Sequence, residues 1–291
     1  MALRVIPEWF RDEIMEKAET LRYSRCQRLI DIFVESENGR LQRLKHLHIV
    51  GYRSRAITEV DPAITWVPRK PVFENLEELH LDKLDCAELC AVQFLPPGSL
   101  FKLKVLKVED CFNWGNILLP STLLHRLPNL EELTVSRTDG SEYMFGYEAL
   151  PVLRQLKLKK IKLFYLATVS ICEGPAPPAM LQNLQSLSIT KCKLEGSLFT
   201  SDVAQCLSQL NSLELKDCPH LERIVEASNK KTVLPKLKQL HLVDLPMLYY
   251  ESATFDIVCP ELEMFIKWMC PEFSASSSDF HSRKQVQFRW W

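Results

Sequence analysis

The nine residues LNSLELKDC, Leu210 to Cys218, carry the pattern on which the fold rests. Leu213 and Leu215 alternate with Ser212, Glu214 and Lys216, so a short strand would bury one side and expose the other. Leu210 precedes that strand, and Cys218 follows Leu210 by eight residues. The same spacing returns in LQSLSITKC (Leu184 to Cys192), LKVLKVEDC (Leu103 to Cys111) and LEELHLDKL (Leu76 to Leu84). Further copies read Leu44/Leu47/Ile49, Leu130/Leu133/Val135, Leu153/Leu156/Leu158 and Leu237/Leu240/Leu242. Ala18/Leu21/Tyr23 and Leu262/Phe265 are weaker; in the second, Lys267 takes the third apolar slot.

From Leu44 to Leu262 the period averages about 27 residues, inside the range of leucine-rich repeats. The few Leu-type side chains of one unit cannot offset the entropy of ordering its backbone, so the units must stack. The predicted fold is an α/β solenoid. It is a leucine-rich-repeat horseshoe with a parallel β-sheet on the concave side and irregular or short helical segments on the convex side. Five cysteines, Cys26, Cys111, Cys192, Cys218 and Cys270, share the slot that closes the phrase. The chain turns inward there, and a small, weakly polar side chain fits. Pro128, Pro151, Pro235 and Pro260 stand two residues before a leading Leu and favour an extended approach. Ser121–Arg126 and Ser201–Leu207 look helical, the second with Ser201 or Asp202 as N-cap. The expected division is a degenerate cap or truncated repeat over 1–17, about ten repeats over 18–270, and a linker with a capping strand (Val286, Phe288, Trp290) over 271–291. Asp61–Pro71 and Gly174–Ala179 read as loop insertions.

Composition narrows the function. Lys plus Arg number 36 against 37 Asp plus Glu, so no bulk positive field gathers nucleic acid or anionic lipid. Only 8 Gly occur and no GxxxxGK[ST] loop, which argues against a glycine-built phosphate cradle. HExxH and GxSxG are also missing, so the expectation is a non-enzyme without cofactor or metal. Arg4, Pro7, Glu8, Arg11, Asp12 and Glu13 interrupt any apolar leader, and no membrane-length apolar run appears. The expected location is cytoplasmic, with the ten cysteines as reduced thiols rather than zinc ligands or bridges.

RLKHLHIV (Arg43 to Val50), FENLEELHL (Phe73 to Leu81), KLKVLKVEDC (Lys102 to Cys111), LPNLEELTV (Leu127 to Val135) and above all LKDCPHLERIVE (Leu215 to Glu226) are the most telling phrases. They resemble the leucine-rich-repeat region of plant coiled-coil, nucleotide-binding, leucine-rich-repeat disease-resistance proteins. The likeness runs from about Ile14 to Phe273, without the nucleotide-binding module and its switch chemistry. The chain thus looks like a C-terminal portion or a truncated relative of such a receptor. The resemblance implies a non-catalytic protein-interaction platform in plant innate immunity, serving effector recognition or receptor autoregulation. Its partners would be a pathogen effector, a guarded host protein or the nucleotide-binding domain of a receptor, with no small-molecule substrate or nucleic acid. The alternative is a leucine-rich-repeat adaptor such as a ubiquitin-ligase substrate-binding subunit.

The exposed residues of the strands would meet the partner. The predicted central column runs Arg22, His48, His80, Lys107, Thr134, Lys157, Ser188, Glu214, His241, with His46 and Glu132 to one side and Asp82, Glu109, Lys159 and Lys216 to the other. His46, His48 and His80 fall in adjacent rows, where solvated polar groups are the ordinary reading and a metal or pH-sensing role the sharper one. Arg154, Lys157, Lys159, Lys160 and Lys162 crowd one repeat, as a plain solvated turn or as an attractor of an acidic surface.

Overall fold

The computed structural model describes residues 8–26, 29–51, 68–84, 95–112, 117–119, 121–124, 126–138, 143–145, 156–167, 170–172, 181–227, 231–250 and 257–290. Eleven strands form one sheet: β1 (Thr20–Cys26), β2 (His46–Gly51), β3 (Glu78–Asp82), β4 (Val105–Glu109), β5 (Glu132–Ser136), β6 (Lys160–Phe164), β7 (Ser186–Thr190), β8 (Ser212–Lys216), β9 (Gln239–Val243), β10 (Met264–Trp268) and β11 (Gln287–Trp290). Neighbours in sequence are neighbours in the sheet, all parallel, as the predicted α/β solenoid requires. Pairing is residue for residue: Leu79 faces Leu106, Leu106 faces Leu133, Leu187 faces Leu213, and Leu213 faces Leu240. The inward side chains therefore stack into one continuous core, with Leu133, Leu187, Leu213, Leu240 and Phe265 at most 1% exposed.

The backbone repeats as strictly as the side chains. Before each of the first nine strands one carbonyl accepts two N–H groups from the next coil: Lys45 from Glu77 and Glu78 at 2.8 and 2.9 Å, and Gln185 from Asn211 and Ser212 at 2.8 and 3.0 Å. After the strand, or at the irregularity just before the end of β1, comes a residue in the left-handed region. Arg25, Lys83, Asp110, Arg137, Tyr165, Lys191, Asp217, Asp244 and Met269 all have φ between 51 and 63°. L-residues resist that conformation. Here it lets the N–H reach the next coil, as from Asp110 to the Ser136 carbonyl and from Asp217 to the Val243 carbonyl, both at 2.9 Å. It also turns the following residue into the core, which explains the cysteine slot. The thiols of Cys111, Cys192, Cys218 and Cys270 each donate to the carbonyl two residues earlier, at 3.3–3.5 Å. Burial pushes the Cys192 thiol up to about 12 and the Cys218 thiol upward as well, so both stay protonated. These cysteines, with Cys26, Cys206 and Cys259, are free thiols.

Four details differ from the sequence reading. The sixth strand is not built on Leu153/Leu156/Leu158 but on Leu158/Ile161/Leu163, because Ile161 faces Leu133 and Leu187 while Leu163 faces Val135 and Ile189. That evens the neighbouring spacings to 28 and 26 residues, where the other register needs 23 and 31. The helix predicted over Ser201–Leu207 spans Ser201–Cys206, and its N-cap is Thr200, whose hydroxyl accepts the Val203 N–H at 3.3 Å. The helix predicted over Ser121–Arg126 is shorter, Ser121–Leu124. Lys267, in an apolar slot, is partly buried and carries its ammonium to the Phe273 and Ala275 carbonyls at 2.8 and 3.5 Å. At the far end Phe288 of β11 faces Phe265, ring centroids 5.1 Å apart. Most of the Asp61–Pro71 insertion, all of Gly174–Ala179, and Cys86 and Cys90 lie outside the described residues.

The convex side carries short pieces, as expected. They include the strands Ile117–Leu119, Tyr143–Phe145 and Ser170–Cys172, which pair with one another, and Gly196–Phe199 paired with Leu221–Val225. No described helix is long and apolar enough to cross a membrane. Leu213→Ala should cost about 2–5 kcal/mol through lost burial and the cavity left behind, read as a lower midpoint in urea unfolding. Gly51→Ala should also destabilise, although it only adds a methyl, because a Cβ there would stand 2.2 Å from the Lys83 carbonyl oxygen.

Candidate protein-interaction face

Alternation along each strand sends every second side chain outward, and the parallel register lines these up in columns across the sheet. Residues adjacent in a column are one coil apart in sequence. The central column reads Arg22, His48, His80, Lys107, Thr134, Lys162, Ser188, Glu214, His241, Ile266 and Arg289. It matches the predicted column except at β6, where Lys162 replaces Lys157. On one side stand His46, Glu78, Val105, Glu132 and Lys160; on the other stand Val50, Asp82, Glu109, Ser136, Phe164, Thr190, Lys216, Val243 and Trp268.

Lys157 and Lys159 are therefore corrected out of the face. Both are exposed in the approach to β6. Lys157 donates to the Asn129 side-chain oxygen at 2.7 Å, as Lys102 does to Asn75 one pair of coils earlier. Lys159 pairs with Glu131 at 2.9 Å in a ladder that also joins Lys45 to Glu19, Lys104 to Glu77 and Lys238 to Glu263. These cations serve the edge of the stack. Periodicity alone missed Lys162 and Phe164, and only the near-equal coil lengths would have pointed to them.

The first half of the face pairs with itself. Glu78 accepts from Lys107 and lies 3.3 Å from the His46 ring nitrogen. Glu109 takes Arg137 at 2.7 Å and lies 3.2 Å from His80 Nε2. Lys160 reaches Glu132 at 3.7 Å, and Asp82 sits 3.4 Å from Lys83. Further along, Ser188 donates to Glu214 at 3.0 Å. His241 stands next to Glu214 with a buried Nε2, and Lys216 stays exposed. The three predicted histidines do not converge on one point. His48 and His80 stack with centroids 4.0 Å apart and planes 8° from parallel, which sets their nitrogens in separate planes, while His46 turns to Glu78. Among the described residues no group of three His, Cys, Asp or Glu is placed to hold a metal. The last full coil changes character: Met264, Ile266, Trp268 and Met269 all face outward, with Trp268 and Met269 well exposed.

Residues 75–219 and 153–250, together more than half of the chain, match the family described as plant disease resistance protein RPS2-like, leucine-rich repeats. Two Arabidopsis thaliana proteins whose names class them as disease resistance proteins are similar. One is 31% identical over 128 residues, 42% of this chain and 14% of that protein. The other is 34% identical over 100 residues, 34% of this chain and 8% of that protein. The matched stretches are thus a small part of those longer proteins. No solved structure gives a significant match.

The paired charges set an acid response. The hydrogen bond from Lys107 holds the Glu78 carboxyl below its ordinary value, with Lys107 and His46 charges adding to it. Partial burial, then His80 and Arg22, holds the His48 imidazole below its own, against the pull of Asp82 and Glu109. For both groups the unfolded chain binds protons first as pH falls, so each contributes stability that is present above its unfolded value and lost below it. Loss should begin below about pH 6.5 for His48 and below about pH 4.3 for Glu78. In thermal unfolding followed across that range, His48→Gln should lessen the upper part of the acid decline and Glu78→Gln the lower part, which Glu13, Glu19, Glu77 and Asp279 share.

Proposed function

The chain belongs to the RPS2-like leucine-rich-repeat family of plant disease resistance proteins, and from that premise we propose that it is a non-catalytic protein-interaction platform in plant defence. The observation that carries this reading is the eleven-strand parallel face, whose outward side chains stand in registered columns. At about 4.8 Å per strand it extends for about 48 Å, a span suited to a protein surface rather than to a small ligand.

The face works by what it leaves unsatisfied. Pairs such as Lys107 with Glu78 and Arg137 with Glu109 are half exposed and add little to stability. They keep the charges ordered at fixed positions, which favours complementary partners and penalises like charges. The exposed Trp268 and Met269 are of the residue types that enrich interfaces. The partner is a pathogen effector, a guarded host protein or the nucleotide-binding domain of a receptor, met in the cytoplasm.

Proximity labelling with the chain expressed in plant cells tests this. The expected catch contains one of those three classes, and the charge reversal Glu109→Lys should reduce it. Recovery of ubiquitin-ligase subunits instead would turn the reading into that of a substrate adaptor.

A further inference from the structure

The register of β6 places one cation at the middle of the face. Lys162 stands in the central column of the sixth of eleven strands, at the middle of the sheet. Its column neighbours are Thr134 and Ser188, both short and uncharged. The nearest charged members of that column on either side are engaged, Lys107 with Glu78 and Glu214 with Ser188, while Arg22 and Arg289 stand on the outermost strands. Among the described residues no carboxylate is hydrogen-bonded to or ion-paired with Lys162. The surroundings are low, because Ser136, Ser186 and Thr190 also line this part of the face with small hydroxyl side chains. Phe164 ends the same strand, and Tyr165, 50% exposed, follows in the left-handed turn. Lys191 lies over the Tyr165 ring at 5.1 Å and donates to its hydroxyl at 3.3 Å, which fixes the ring in place.

We propose that β6 is the anchor point of the concave face for a protein segment that presents a carboxylate beside an apolar side chain. The carboxylate meets Lys162 in the trough between Thr134 and Ser188, and the apolar group lies on Phe164 and Tyr165. Charge complementarity selects this occupant. Lys162 is already half-buried and has no internal anion, so a partner's carboxylate gains a cation without displacing a rival. The position is also favourable, since binding energy concentrates in central spots that the surrounding contacts shield from water. The inference rests on the reading of this face as a protein-binding surface and adds to it the chemistry of the partner.

Panning a phage-displayed library of random short peptides on the full chain tests it. The expected peptides are enriched in Asp or Glu next to an aromatic residue or Leu. Lys162→Glu should weaken them about tenfold or more, as breaking a desolvated charge pair does, and Lys162→Met, which keeps the apolar stem, should weaken them and flatten the salt dependence. Lys157→Glu, on the turn, should change affinity less than about twofold. Circular dichroism and the unfolding midpoint establish that each variant folds. Failure to recover peptides, recovery without acidic enrichment, or equal losses from Lys157→Glu and Lys162→Glu would overturn the proposal. If partners caught in cells bind the Lys162 variants normally yet are lost on Glu109→Lys, this inference fails and the broader reading stands. If nothing is caught in cells, the broader reading fails.

Discussion

A parallel strand finds its backbone partners only one full coil away, and the rest of this structure follows from that requirement. Each coil must return at the same register, so that Leu213 lies between Leu187 and Leu240 with no slip. Two devices hold the return. A single carbonyl before each of the first nine strands accepts two N–H groups of the next coil, and a left-handed residue in the turn that follows carries one more N–H across, as at Asp110 and Asp217. The strain of nine non-glycine residues at φ near 55° is offset because the same turn delivers the next side chain into the core, an apolar group or thiol in every case but Thr138.

The same register organises the surface. Because column neighbours are a coil apart in sequence, opposite charges placed there can pair only when the coils stack. The ladder of Lys45 with Glu19, Lys104 with Glu77 and Lys159 with Glu131 shows this on the edge. On the concave side the pairing is incomplete. On the proposed reading a partner would meet what stays unpaired or apolar among the described residues, Lys162 in the middle, Arg22, Lys216 and Arg289 elsewhere, and Met264, Ile266 and Trp268 on the tenth strand. The face is therefore graded, from self-paired charges through a cationic trough to an apolar end.

That gradation bears on how a repeat region of this family serves recognition. The matched relatives are much longer proteins, of which these repeats correspond to 14% and 8%. In such an arrangement the repeats supply a rigid, indexed surface, and each outward residue can change without disturbing the core behind it. On the reading proposed above, specificity would reside in a few columns and stability in the leucines.

The solenoid, the parallel sheet, the buried leucines and the gathering of cysteines in one slot can all be read along the chain. Those features depend on local alternation and on a period, and both are written along the chain. Most of the face was legible for the same reason: His46, His48, His80, Asp82, Lys107, Glu109, Glu132, Glu214, Lys216 and His241 all stand where alternation places them. Only the tertiary structure decided the sixth strand. LPVLRQLKL imitates LPNLEELTV, proline included, and Leu158 serves equally well as the end of one phrase or the start of the next. Contact with Leu133 and Leu187 on the two flanking coils selects Ile161, and with it moves Lys157 and Lys159 to the edge and Lys162 to the centre. The left-handed turns were hidden for the same physical reason. Arg, Lys, Tyr and Met carry no local preference for that conformation and Asp only a modest one, and the next coil imposes it through hydrogen bonds that the isolated segment cannot make.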